Sequence, residues 1–356
     1  MDLETKTQEL LIKLTNPVTD QEAVMEQARD FYQTIFEIED AKQVKTALQT
    51  LTSAFSVSNL FGGALAANLC GGLVENGFPP SYISEEFAAF FKNLLQRAST
   101  VIDAFEASYQ EPNYEELGED EEPEDKIEVF ERFLEEITDE MPEAVQAFQA
   151  IDHYYSCGIA LFSANPTEFQ QGKTAIGQQV GKFAEYTSGG YWFSKLFQTL
   201  FQEPILVIEL NARKGFIGKM SGIAENFQLQ ILLMTLPQIN QQVAVSPLHQ
   251  AVVKGVGEQN AGEAITGLWN MYDWTYVHQT GENSTNHWIW GEGVPADIPV
   301  FNNEYRVIIL DTPSYSRGFP VQRMFQNLKA DITIEKELDA SEVEQWLAMM
   351  SSAVND

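Results

Sequence analysis

The sequence predicts an α+β protein with a helical N-terminal half, followed by a mixed or antiparallel sheet with flanking helices. Up to about residue 200, apolar residues recur every three or four positions, as at Phe31, Ile35 and Ile38, which is the period of an amphipathic helix. Beyond residue 203, short runs rich in β-branched residues indicate strands. Because helices precede strands rather than alternate with them, α+β is favoured over a repeating βαβ plan. We predict two domains, 1–202 and 203–356.

Prolines and capping residues locate the first helices. Pro17 separates the first helix from the second. Asp20 is placed to cap the second helix, because an aspartate at a helix N-terminus accepts a hydrogen bond from an early backbone N–H. A third helix is expected over 41–55. Farther along, Ser81 or Ser84 is expected to cap a long helix whose apolar face is rich in Phe and Leu.

No charged residue lies between Lys45 and Glu75, which raises the question of a membrane span. Polar residues interrupt this segment, and its glycines lower the hydrophobicity below that of a typical spanning helix. Small residues such as Gly62, Ala66 and Ala67 allow a second helix to approach closely. We therefore expect a buried, tightly packed helix pair, and no membrane association.

Residues 111–143 hold sixteen acidic residues against Lys126 and Arg132. The first part, 112–125, has few large apolar residues and is expected to be a solvated loop. The later part regains an apolar stripe, which predicts an amphipathic helix with an acidic outer face. Such charge runs are usually solvated, and the alternative is a surface that recognises a basic partner. The loop residues that are candidates for this role are Glu119, Asp120, Glu121 and Glu122.

Strand signals begin after Pro204. The apolar run 205–210 and the segment 216–220 predict a hairpin, with Gly215 at its turn. Helices are then expected over 227–236 and 248–256.

Aromatic residues mark a second expected hairpin. Its strands are the runs 269–276 and 288–290, which are separated by the turn sequence 281–284. Two further strands are expected over 305–311 and 331–338, the second because apolar and polar residues alternate along it. The pattern Ser341-Glu342-Val343-Glu344 predicts a capping box that opens a terminal helix.

The charge balance restricts the partners. The chain has 52 acidic and 21 basic residues, a formal net charge of −31 and an isoelectric point near 4.3. Nucleic-acid binding requires many Lys and Arg residues to neutralise phosphates, so this class of function is excluded, and an anionic membrane surface is disfavoured for the same reason. The start of the chain has no positive segment followed by an apolar stretch, so no secretory signal is predicted and a cytoplasmic location is expected.

Several short motifs are better explained by packing than by chemistry. Gly172-Lys173-Thr174 lacks the upstream glycine and the preceding strand of a phosphate-binding loop. His153 and Cys157 share a helical face, as in a nucleophilic dyad, but apolar bulk surrounds them and favours a packed contact. The two cysteines, Cys70 and Cys157, are too few for a disulfide framework and are expected to be reduced. No cofactor is predicted.

Two histidines flank the expected aromatic hairpin. His278 and His287 would approach each other if the strands pair, with Asp273, Glu292 and Asp297 near in sequence. Such a set could bind a metal or transfer protons. Since no HExxH-like or HxH spacing fixes the geometry, no metal site is predicted.

The loop that begins at Asp311 is the main candidate for ligand binding. An apolar strand runs into Asp311, Ser314 and Arg317, and ligand-binding loops often lie at the end of a strand. Arg317 could bind an anion, and a hairpin could bring Arg213 and Lys214 near it. The alternative is a turn held by local hydrogen bonds, with a surface arginine paired to a carboxylate.

Four of the six tryptophans lie within 22 residues. Aromatic residues at alternating strand positions are usually core, and the alternative is an exposed platform, because Trp, Tyr and Arg dominate interface hot spots. The interaction candidates in this segment are Trp274, Trp288, Trp290 and Glu292.

Two classes of function follow from these patterns. The first is a non-catalytic interaction protein, such as an inhibitor, an immunity-type neutraliser or an adaptor, which binds a basic protein through its acidic surface and its aromatic C-terminal half. The second is an enzyme or a small-ligand-binding protein with a site in the loop 311–317. We favour the first, because each nucleophile, metal or phosphate motif has a simpler packing explanation.

Overall fold

The structure is a computed structural model, which describes residues 2–17, 20–56, 58–111, 124–240, 264–278, 284–314, 316–320, 324–325 and 327–355. Backbone contacts divide the chain into two compact units, Met1–Ser194 and Lys195–Asp356, which we call the N-terminal unit and the C-terminal unit. Helices dominate the first and a mixed sheet lies in the second, so the predicted α+β class is confirmed. The predicted boundary at 202/203 stays a prediction.

The first part of the chain is a succession of α-helices. The described helices are α1 (Leu3–Thr15), α2 (Gln21–Ile35), α3 (Ala41–Thr52), α4 (Leu60–Glu75), α5 (Ser84–Ser108), α6 (Lys126–Ile137), α7 (Pro142–Phe162), α8 (Pro166–Val180) and α9 (Ser188–Phe197). Asp20 caps α2 as predicted, by accepting a hydrogen bond from Glu22 N. The predicted serine cap of α5 is wrong. The helix begins after Ile83, and no side chain caps it.

The uncharged segment includes the end of α3 and nearly all of α4, and α4 packs against α7. A Cβ added at Gly71 would lie 2.9 Å from Cys157 Cα, so the backbones approach closely, as predicted. Within the described residues, no helix combines the length and the apolar character needed to cross a bilayer.

Helix α6 carries the later part of the acidic segment. Phe130 and Ile137 are buried on one side, while Glu128, Glu131 and Glu135 are exposed on the other, so the predicted amphipathic helix is confirmed. Most of the predicted loop lies outside the described residues, including the four candidates Glu119, Asp120, Glu121 and Glu122.

The C-terminal unit is built on a mixed sheet. Its strands are β1 (Glu203–Glu209), β2 (Lys214–Ser221), β4 (Asn270–Tyr272), β5 (Val300–Phe301), β6 (Tyr305–Asp311) and β8 (Asp331–Leu338), and a separate pair is formed by β3 (Ala264–Thr266) and β7 (Gly318–Pro320). The order is β4-β6-β1-β2-β8, with β5 also on β6. Strands β1 and β6 are parallel, and the other described pairs are antiparallel.

Among the described residues, a helix packs on each face of this sheet. Ile205 and Val207 of β1 share a core with α10 (Asn226–Thr235), whereas Leu206 and Ile208 share a core with α11 (Ala340–Asn355). This alternation follows from the two-residue period of a strand. The predicted helix at 248–256 lies outside the described residues.

The predicted aromatic hairpin is only partly correct. Strand β4 ends at Tyr272, and the next residues form a 3-10 helix, Trp274–His278, rather than a strand. The physical reason is local, because the Asp273 carboxylate accepts a hydrogen bond from Thr275 N at 2.8 Å and closes a tight turn. Trp288 still pairs with Tyr272, but as an isolated bridge.

Two smaller predictions were wrong by a few residues. The turn between β1 and β2 precedes Gly215, which lies inside β2, and Arg213 adopts a positive φ of 51° in that turn. The capping box of α11 is formed by Asp339 and Glu342 instead of Ser341 and Glu344. The Asp339 side chain accepts from Ser341 N and Glu342 N at 2.9 Å, and Asp339 N donates to Glu342 Oε2 at 3.1 Å.

Candidate functional site

A cleft in the C-terminal unit depends on the start of helix α10. The first N–H groups of a helix have no partner within the helix. Here Asn226 N donates to Gly293 O and Phe227 N donates to Gly291 O, both at 2.9 Å, and Asn226 Nδ2 donates to Trp290 O at 2.8 Å. These bonds fix the loop 290–293 against the helix.

The cleft is open to solvent, and the space within it that the centre of a water-sized sphere can occupy is about 40 Å³. Phe227 and Gln230 reach it from α10, and the other described lining residues come from the segments around β4, Trp290 and β7. The aromatic lining residues are Phe227, Trp269, Trp288, Trp290 and Phe319, and the polar side chains are Gln230, Asn270 and Arg317. Such a mixture of aromatic walls and a few polar groups is typical of small-molecule sites.

Arg317 is held over an aromatic stack. The rings of Phe227 and Phe319 stack at 4.6 Å, and the Arg317 guanidinium lies 5.1 Å from the Phe227 ring centre, in a cation–π contact. Arg317 also forms an ion pair with Glu292. Its backbone carbonyl accepts from Gly267 N at 3.0 Å, so the residue is fixed through both main chain and side chain.

Two tryptophans form an adjacent wall. The rings of Trp288 and Trp290 lie 5.0 Å apart with an interplanar angle of 60°. Trp290 is 50 % exposed, which is unusual for the largest apolar side chain. The wall therefore presents aromatic surface to solvent.

Polar side chains at the cleft are oriented by hydrogen bonds. Gln230 Nε2 donates to Trp269 O. Asn270 Nδ2 lies within hydrogen-bond distance of Ser314 Oγ, at 3.2 Å, and of Tyr272 Oη, at 3.1 Å. Ser314, a predicted ligand-binding residue, therefore contacts Asn270, which lines the cleft.

Asp311 lies where the parallel strands β1 and β6 both end, the usual position of polar sites in such sheets. Its Oδ2 accepts from Tyr276 Oη at 2.8 Å, and its Oδ1 accepts from Thr312 N at 2.7 Å. Burial, together with this carboxylate, raises the pKa of Tyr276. The phenol is therefore a stable donor to Asp311.

His287 belongs to a second polar cluster. Thr275 Oγ1 donates to Asp273 Oδ1 and also lies within hydrogen-bond distance of His287 Nδ1. The Asp273 and His287 side chains are 14 % and 17 % exposed. His287 and Asp273 therefore lie close together. The predicted approach of His278 and His287 stays a prediction, because the side chain of His278 lies outside the described residues. No set of three metal-ligating side chains is found in the part of the chain that the structure describes.

The other basic candidates lie elsewhere on the C-terminal unit. Arg213 forms an ion pair with Glu344 at 2.8 Å, and Arg213 and Lys214 line a different groove, together with Glu342. The structure therefore does not bring them to Arg317.

Trp274, His153 and Cys157 do not line the cleft. Trp274 packs against Phe301, with ring centres 5.3 Å apart. In the N-terminal unit, His153 is exposed while Cys157 is buried, and burial raises the pKa of the Cys157 thiol well above its ordinary value. This arrangement favours packing over a nucleophilic pair.

Sequence reasoning did not identify several residues that build the cleft. Phe227 and Gln230 were assigned only to the expected helix over 227–236, and Phe319 was not identified as a site residue. A polar Gln within an apolar helical run was the available signal. Comparisons of the chain with models of known protein families, with curated proteins and with solved structures give no match.

Proposed function

We propose that this protein binds a small ligand in the cleft lined by Trp288, Trp290 and Arg317. Ligand binding is the second of the two classes of function that the sequence predicts. One observation carries the proposal: an aromatic wall, a fixed guanidinium and oriented amides line the same cleft.

Two features of the cleft support binding rather than simple packing. Trp290 is half exposed, so aromatic area remains to be covered by a ligand. Phe227, Phe319 and Arg317 form a stack that exists before any ligand arrives. A site organised in advance loses less conformational entropy on binding.

Trp290→Ala tests this function. We expect a library of one- and two-ring aromatic fragments, with neutral, anionic and cationic substituents, to yield binders detectable by calorimetry. Their affinity should fall at least about tenfold in the variant, since a large aromatic side chain that a ligand covers contributes a large share of binding energy. The fold should persist, because the Trp290 side chain is half exposed.

Met349→Ala is the matched control. Met349 is also a large, exposed apolar residue of the C-terminal unit, on α11 and outside the cleft. Its replacement should leave fragment affinity unchanged. Fragments that bind wild type and Trp290→Ala equally, or a library without binders, would overturn the proposal.

A second candidate function is recognition of a basic protein, the function favoured by the sequence. The observation that favours it is the outer face of α6, where Glu128, Glu131, Glu135 and Glu136 are all exposed. In a chain of net charge −31, such a face would attract a cationic protein rather than a nucleic acid. A cytoplasmic location belongs to this proposal, since the free, buried thiols Cys70 and Cys157 suit a reducing compartment.

A further inference from the structure

We infer that the ligand of the cleft is a planar aromatic carboxylate, which replaces Glu292 as the partner of Arg317. This inference rests on the proposed function and specifies its ligand class. The two parts of the ligand correspond to two parts of the site: the ring packs on the wall formed by Trp288 and Trp290, and the carboxylate binds the guanidinium.

Arg317 is a fixed cation. Its guanidinium lies 5.1 Å from the centre of the Phe227 ring, and its backbone carbonyl is bonded to Gly267 N. Its side chain is only 33 % exposed. A planar guanidinium offers two parallel N–H groups to a carboxylate, which makes the contact both strong and directional.

Glu292, in contrast, is an exchangeable partner. Its side chain is 62 % exposed, nearly twice the value for Arg317. An exposed ion pair contributes little net stability, because water solvates both charges. A ligand carboxylate can therefore displace Glu292 at small cost, and the released side chain is solvated again.

Among the described residues that line the cleft, the charged side chain is that of Arg317, although the chain as a whole is acidic. Lys195 Nζ donates to the backbone carbonyl of Glu292 at 3.0 Å, outside the lining of the cleft. A cationic ligand would meet Arg317 within the cleft and compete with it for Glu292. A neutral ring would gain the aromatic contacts but not the ion pair.

The test uses three probes that share one ring system: 2-naphthoate, 2-naphthamide and 2-naphthylmethylammonium. Calorimetry with the full chain should show that the carboxylate binds about tenfold or more tightly than the amide, as expected for hydrogen bonds to a charged group. The ammonium should bind most weakly of the three.

Two substitutions then test the exchange of partners. Glu292→Gln should strengthen 2-naphthoate binding about threefold, because the internal competitor is removed. Arg317→Gln should abolish the preference for the carboxylate while 2-naphthamide still binds. Glu337→Gln, which removes an exposed carboxylate from β8, controls for the change in net charge and should leave all affinities unchanged.

The outcomes separate the two proposals. If 2-naphthamide or the ammonium binds as tightly as 2-naphthoate, or if Glu292→Gln weakens the carboxylate, the charge preference is wrong while the cleft remains a binding site. If inorganic phosphate competes with 2-naphthoate at equal concentration, Arg317 binds anions without using the aromatic wall, and the inferred class is wrong. If no probe binds, the proposed function fails as well.

Discussion

Replacing Gly291 with alanine should lower the free energy of unfolding by about 2 kcal/mol and weaken ligand binding in the cleft. A Cβ at this position would lie 2.1 Å from Phe227 Cε1, far inside van der Waals contact. The ring cannot move without disturbing its stack with Phe319 and the guanidinium of Arg317. Urea unfolding followed by tryptophan fluorescence measures the loss of stability.

Gly293→Ala is the control in the same loop. There the nearest atom to an added Cβ is Asn226 Nδ2, at 3.1 Å, and the amide can adjust by a few tenths of an ångström. We expect a cost below about 1 kcal/mol and little change in binding. Equal stability of the Gly291→Ala variant and wild type would contradict the close approach of this loop to Phe227.

Association with a cationic probe should depend strongly on salt if the acidic face of α6 is a recognition surface. We expect the association rate of a sixteen-residue lysine–alanine peptide to fall about tenfold or more between about 10 mM and about 150 mM salt, as the Debye length shortens from about 30 Å to about 8 Å. At low salt, changing the four exposed glutamates of α6 to glutamine should slow association several-fold. The residues changed are Glu128, Glu131, Glu135 and Glu136.

The matched control removes the same number of charges elsewhere in the N-terminal unit. It carries glutamine at four other exposed positions, Glu26, Glu37, Glu39 and Glu106. This control should keep most of the wild-type rate, because encounter is guided by the local potential of the binding face. Stopped-flow fluorescence compares the three proteins. Equal slowing of both variants would mean that only net charge matters, and the proposed face on α6 would be wrong.

Local sequence patterns predicted the elements that have a regular periodicity or a capping residue. The alternation of apolar and polar residues identified β8, and the helical period together with Asp20 located α2. The error at the aromatic hairpin arose because a side-chain hydrogen bond overrode the strand propensity of the segment. Asp273 turned the chain into a 3-10 helix although Trp274 and Tyr276 have high strand propensity.

The candidate cleft could be predicted only in pieces. Arg317 and Trp290 were each identified from the sequence, for different roles. What unites them is the pair of backbone bonds from Asn226 and Phe227 to a loop more than sixty residues later. No periodicity encodes such a long-range contact, because it depends on how the helix packs on the sheet. The same reasoning explains why Phe227 was assigned only to an expected helix.

The indole N–H signals in a ¹H–¹⁵N spectrum of the full chain provide the most direct test that the cleft is a binding site. The chain has six tryptophans, and Trp→Phe variants assign their signals. On addition of 2-naphthoate, the signals of Trp288 and Trp290 should shift, while those of Trp192, in the N-terminal unit, and Trp346, on α11, should not. Unchanged signals of Trp288 and Trp290 at saturating probe would contradict the account.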